Sequence, residues 1–89
     1  MTLNTTQISI LDQGLKMWPK FTSRGIAKEL GLHCSNITYY FRQDELETAI
    51  ARRAITTRNL DVIGQLVAAK HPVASEIPLE LKQEALSRL

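Results

Sequence analysis

The sequence predicts an all-α fold, a small helical bundle with a helix-turn-helix and about five helices. Three observations predict it. Apolar residues recur at helical spacing, prolines and glycines fall at the ends of those periodic runs, and no strand-like alternation of useful length occurs. The composition, 44% hydrophobic and 22% charged, is that of an ordinary globular chain and excludes wholesale disorder. At 89 residues the chain has material for one modest core.

Thr5 or Thr6 is expected to cap a first helix, on which Ile8, Leu11, Leu15 and Trp18 form one stripe. Pro19 ends it, because the residue before a proline is pushed out of the α region. Thr22 or Ser23 caps a second helix with Ile26, Ala27 and Leu30 on its apolar face, and Gly31 stops it in the left-handed conformation open to glycine. A third helix is expected from about Cys34 to Phe41, followed by the short link Arg42-Gln43. Asp44 and Glu47 have the spacing of a capping box, opening a fourth helix with Leu46, Ile50 and Ala54 on one face. Thr56, Thr57, Arg58 and Asn59 are poor helix formers. The fourth helix either runs through them to about Ala69 or breaks and restarts at Leu60, with Asn59 as cap. Leu60, Ile63, Leu66 and Val67 keep helical period in both cases. His71-Pro72 closes that segment, and Pro78 suits the first turn of a last helix over about Leu79–Arg88. Residues 1–55 thus read as a head and 56–89 as a C-terminal helical segment.

The informative spacing is Ala27, Gly31 four residues on, and Ile37 six further. Two short helices joined by a tight turn need a small side chain where they cross, and Ala27 supplies it. They need a backbone that can turn left-handed, at Gly31, and apolar residues that hold the second helix from behind, at Ile37 and Tyr40. His33, Cys34, Ser35, Asn36, Thr38 and Tyr39 are then left facing outward. That set suits a DNA major groove. Asn36 can pair bidentately with adenine, and Ser35 or Thr38 can bond several base edges. Tyr39 carries a hydroxyl on a rigid arm suited to a phosphate oxygen. Ser23, with the free N–H groups at the start of the second helix, suits another. Arg24, Lys28 and Arg42 flank the motif and supply positive charge. Residues 1–43 hold five bases against two acids, and residues 44–89 six against seven, so the positive potential is expected in the first half.

The runs ISILDQGLKMW, TSRGIAKELGLHCSNITYYF and DELETAI resemble the DNA-binding head of the tetracycline-repressor (TetR) family. The resemblance covers about residues 6–55 and rests on Ile10, Leu11, Ile26, Ala27, Gly31, Ile37, Tyr39, Tyr40, Phe41 and Leu46. It departs from the family pattern in the short link Pro19-Lys20-Phe21, and in Thr38 where the family favours tyrosine. Asp44 stands near the place of a phosphate-binding lysine. The resemblance implies a transcriptional regulator, with a repressor the expected outcome. The family's large ligand-binding domain is not expected here, and with it no small-molecule ligand.

A single module of this kind reads few base pairs, so a homodimer on a palindrome is expected. The stripe Leu60, Ile63, Leu66 and Val67, together with the last helix, is expected to make residues 56–89 the dimer interface. Two other readings of the chain are a ring-forming DNA adaptor of the phage terminase small-subunit type, and a module that uses the same fold to bind protein. No nucleophile–base pair, glycine-rich phosphate loop or metal-ligand spacing occurs, so no enzyme activity, cofactor or metal is expected. His33 and Cys34 are adjacent but lack further ligands. Cys34 is the single cysteine and has no disulfide partner. Trp18 and Phe21 read as core, and Arg52-Arg53 as a solvated face. With no apolar run long enough for a membrane span and no signal-like N-terminus, a cytoplasmic location is expected.

Overall fold

Residues 3–87 are described by a computed structural model of the chain, and every regular element among them is a helix. The α-helices are α1 (Thr5–Met17), α2 (Ser23–Leu30), α3 (Cys34–Tyr40), α4 (Gln43–Thr56), α5 (Leu60–Ala68) and α6 (Leu79–Leu86), with a 3₁₀ turn over Pro72–Glu76. The expected all-α bundle is the observed one. The chain divides into two units, Met1–Ile50 and Ala51–Leu89, the division falling inside α4.

In the first unit α1 packs on α2, and α2 packs on α3. Ile10 and Leu11 of α1, Ile26 and Ala27 of α2, Ile37 of α3, and Leu46 and Ile50 of α4 form its core. Trp18 and Phe21 lean against that core and stack on each other with ring centroids 5.6 Å apart. The cap of α1 is Asn4, not Thr5 or Thr6. Its Oδ1 accepts from the Gln7 N–H at 2.8 Å, and Gln7 Oε1 accepts in return from the Asn4 N–H at 2.9 Å. A reciprocal pair satisfies two free donors at once, which a lone threonine hydroxyl does not. α2 is capped by Thr22, whose Oγ1 accepts from the Gly25 N–H at 2.9 Å, while Ser23 is the first helical residue.

α4 begins one residue before Asp44, so the expected box with Glu47 is not how the helix starts. The Arg42 carbonyl instead accepts the N–H groups of Glu45 and Leu46 at 2.9 and 3.0 Å. Asp44 and Glu45 fall in the first turn, where their charge meets the positive end of the helix dipole. The ambiguity further on resolves as a break. Asn59 Oδ1 accepts from the Val62 N–H at 3.2 Å and opens α5.

Three helices end by one device. After α2, α4 and α5, residues Gly31, Arg58 and Lys70 take left-handed backbone, with φ of 68°, 55° and 54°. The next N–H then reaches back five residues: Leu32 to the Ala27 carbonyl, Asn59 to Ala54, and His71 to Leu66, at 2.8–3.0 Å. Only the first uses glycine. A side chain at the other two costs about 1 kcal/mol in this region. Arg58 and Lys70 do bring a cation to the negative end of a helix.

In the second unit α5 packs against α6 and the 3₁₀ turn. Val62, Ile63 and Leu66 of α5 are buried, as are Val73, Ile77, Leu81 and Ala85. This corrects the expected dimer stripe. Ile63 and Leu66 are fully covered within the chain, and Leu60 and Val67 are half-buried. Periodicity marks a covered face without saying what covers it, and here the chain's own α6 and 3₁₀ turn do. Among the described residues of this unit, the large apolar side chains left exposed are Leu79 (68%) and Leu86 (45%), both on α6. Arg52 is not simply solvated. Its Nε and second terminal nitrogen each donate to a Glu76 carboxylate oxygen at 3.0 Å, tying α4 to the 3₁₀ turn. Among the described residues no helix is long and apolar enough to cross a membrane.

Two predictions follow from the packing. Gly14 of α1 is buried, and a Cβ there would run into Ile50, whose Cγ1 lies 2.8 Å from the Cβ position. Ile50 has no exposed surface, so its side chain can shift only by displacing its core neighbours. Gly14→Ala gains about 1 kcal/mol of helix propensity. Overpacking costs about 1–3 kcal/mol. Thermal melts should therefore show a lower Tm for Gly14→Ala, and an unchanged or higher Tm would refute the close contact. The second concerns Glu76, whose carboxyl is held below its ordinary value of 4.5 by the Arg52 hydrogen bonds and charge. A carboxylate with a lowered folded-state value stabilises above its ordinary value and loses that contribution as the pH falls through the lower one. Glu76→Gln should melt slightly below the wild type at pH 7, and the gap should close as the pH is taken down past 4.5. A pH-independent gap would mean that the ion pair contributes nothing.

Candidate nucleic-acid interface

α3 has seven residues, too few to be stable alone, so its pose depends on what holds it. Ile37 is completely buried in the core with Ile26 and Ala27 of α2. Gly31, in left-handed backbone, makes the turn between the two helices. At 3.6 residues per turn, positions two away from Ile37 point roughly opposite to it. Those positions are Ser35 and Tyr39, both exposed; Asn36 and Thr38 flank them and are exposed too. Tyr39 is 81% exposed and meets the edge of Tyr40 at 5.1 Å between centroids. Tyr40 itself is half-buried against the core.

The outward side chains have existing commitments. Asn36 Oδ1 accepts from the His33 N–H at 3.0 Å, and the Thr38 hydroxyl donates to the Ser35 carbonyl at 3.1 Å. Asn36 therefore presents its Nδ2 donors, with one of the two lone pairs of its carbonyl oxygen engaged. Thr38 presents an acceptor and a methyl group with its proton already used. Neither commitment was legible from spacing alone, although asparagine three residues after a cap position is a mild signal for it.

An open cleft of about 570 Å³ lies between the start of α2, the side of α3 and the start of α4. Phe21 and Leu46 form apolar wall, and Thr22, Ser23, Arg24, Cys34, Thr38, Gln43 and Glu47 supply the polar lining. The structure thus gathers Ser23, Arg24, Cys34 and Thr38 of the expected contact set. Lys28, His33 and Arg42 are exposed but do not line the cleft. Thr22, Gln43 and Glu47 were not in that set. Glu47 matters most, since it places a carboxylate on the same cleft as Arg24. Cys34 is a half-buried free thiol, and among the described residues no cluster could hold a metal ion.

The charge reading changes with the unit boundary. Residues 44–50 add Asp44, Glu45 and Glu47 and no base, so residues 1–50 carry five bases and five acids. The positive side chains of this unit are Lys16, Lys20, Arg24, Lys28 and Arg42, all exposed. The net positive charge of the chain lies instead in residues 51–89, with six bases against four acids.

No family model, curated protein or solved structure matches this chain.

Proposed function

We propose that the chain binds double-stranded DNA through α2 and α3 as a transcriptional regulator, a repressor of the type headed by TetR-like domains. One observation carries the reading. A short helix is fixed to the core by Ile37, and its opposite face, Ser35, Asn36, Thr38 and Tyr39, is polar or aromatic and exposed. A helix presented this way can enter a major groove, which is wide enough to admit it. The free N–H groups at the start of α2, with Ser23 and Arg24, suit the phosphate backbone alongside. Repression follows from occupying a promoter, in the cytoplasm, without catalysis or cofactor. Two copies on a palindrome would set their recognition helices about 34 Å apart in successive grooves. The buried Ile63 and Leu66 are not their contact.

A second reading has one specific observation behind it. The unit that carries α3 has no net charge, and Glu47 sits on its cleft. A module that binds protein through the same face needs no positive potential.

Selection of bound duplexes from a random pool, followed by titration of the winner across salt concentrations, separates the two. A DNA regulator should enrich a palindrome. Its log affinity should fall with log salt, with a slope of roughly −0.9 for each phosphate neutralised. No enrichment, and no binding of any duplex at low salt, would overturn the proposal in favour of the protein-binding module.

A further inference from the structure

We infer that Glu47 holds down the affinity of this interface for any duplex, by setting a carboxylate against the DNA backbone at the cleft between α2, α3 and α4. The inference rests on the DNA-binding reading above and adds the group that limits it. The first turns of α4 carry three acids, Asp44, Glu45 and Glu47, and all three are exposed. Only Glu47 lines the cleft. Helical spacing explains the choice. Gln43 and Glu47 stand four residues apart, one above the other on the same face of α4, and both line the cleft. Leu46 lines it beside them and is buried in the core, which fixes the rotation of the helix. At about 100° per residue, Glu45 falls on the far side of α4 from Glu47.

Across the same cleft stand Ser23 and Arg24 at the start of α2 and Thr38 on the side of α3. These belong to the surface through which the chain meets DNA in the reading above. In a cleft of about 570 Å³ the facing walls lie on the order of 10 Å apart, comparable with the Debye length of about 8 Å at physiological ionic strength. Salt therefore leaves the carboxylate visible to a phosphate that reaches Ser23 or Arg24. The unit has no broad positive field to offset it, since its five bases and five acids cancel. One unit of like charge at that distance, between the dielectric of water and that of a protein surface, weakens binding by about two- to tenfold. Every sequence presents the same phosphates, so the loss is the same for a specific duplex and for random DNA.

The test compares wild type, Glu47→Gln and Glu45→Gln in the full chain. Each is measured for base preference by selection from the same random pool, and for affinity across a salt series with the selected duplex and with random DNA. Both variants remove one negative charge from α4, and glutamine keeps the helix propensity of glutamate. Glu47→Gln should bind both DNAs about two- to tenfold more tightly, with base preferences unchanged and a salt slope steeper by up to about 0.9. Glu45→Gln, on the far side of the helix, should change either affinity by less than about twofold. Equal gains in the two variants would reduce the effect to net charge and overturn the inference. A Glu47→Gln affinity no greater than that of the wild type overturns it as well. A change of preference at one base pair also overturns it, making Glu47 a reader of a cytosine amino group. Glu47→Ala takes the place of Glu47→Gln if circular dichroism shows that variant unfolded. If none of the chains binds any duplex at low salt, the DNA-binding reading falls, and the inference with it.

Discussion

Ile37 enters the first core with no surface left exposed, and the geometry of α3 follows from that one contact. A seven-residue helix has little stability of its own. Burying an isoleucine side chain is worth about 1.5–3 kcal/mol. That is enough to fix which side of so short an element faces inward. Once Ile37 points in, Ser35 and Tyr39 must point out and Asn36 and Thr38 must flank them. Gly31 sets the direction from which α3 arrives, and Ala27 keeps α2 slim where the two meet. Remove the isoleucine contact and the outward residues lose any common orientation.

The periodic apolar pattern carried most of the fold. Pro19, Gly31 and His71-Pro72 sit at element ends where their backbone chemistry puts them. The Ala27–Gly31–Ile37 spacing located the pair α2–α3 and its outward face. The expectations that failed share one physical feature: each depended on a choice between neighbouring groups of similar chemistry. Asn4 displaces Thr5 and Thr6 as cap because Gln7 lies at the distance that completes a reciprocal pair. Asp44 lies two residues past the cap position, Arg42, since α4 starts at Gln43, and backbone bonds to the Arg42 carbonyl suffice. Gly14 gave no signal at all. A glycine inside a helix reads as a weakness until Ile50 is seen pressed against it.

The stripe on α5 shows a different limit. A face of Leu60, Ile63, Leu66 and Val67 has to be covered by something, and amphipathicity is silent on whether that is the same chain or another. The spacing placed a last helix over about Leu79–Arg88 but did not say that it and the stretch before it turn back onto α5. Val73 of the 3₁₀ turn, Ile77 just after it, and Leu81 and Ala85 of α6 are all buried. On α3, periodicity placed Ser35, Asn36, Thr38 and Tyr39 on the surface, where they are exposed, but also Cys34, which is half-buried, and it was silent on their hydrogen bonds. Asn36 and Thr38 are both partly engaged locally, so the chemistry they offer a groove is narrower than residue type suggests.

Charge is the feature that sits least comfortably with a DNA-binding face. Five exposed cations on the first unit are matched by five acids, three of them on the first turns of α4. Affinity would then lean on helix N-termini and local groups such as Arg24 rather than on a broad positive field. Amide chemical shifts of the full chain, followed as a duplex from the random-pool selection is added, test this most directly. The account predicts that the shifts concentrate at residues 22–24 and 33–39 and saturate together. Shifts confined to residues 51–87, or none at low salt, would contradict it.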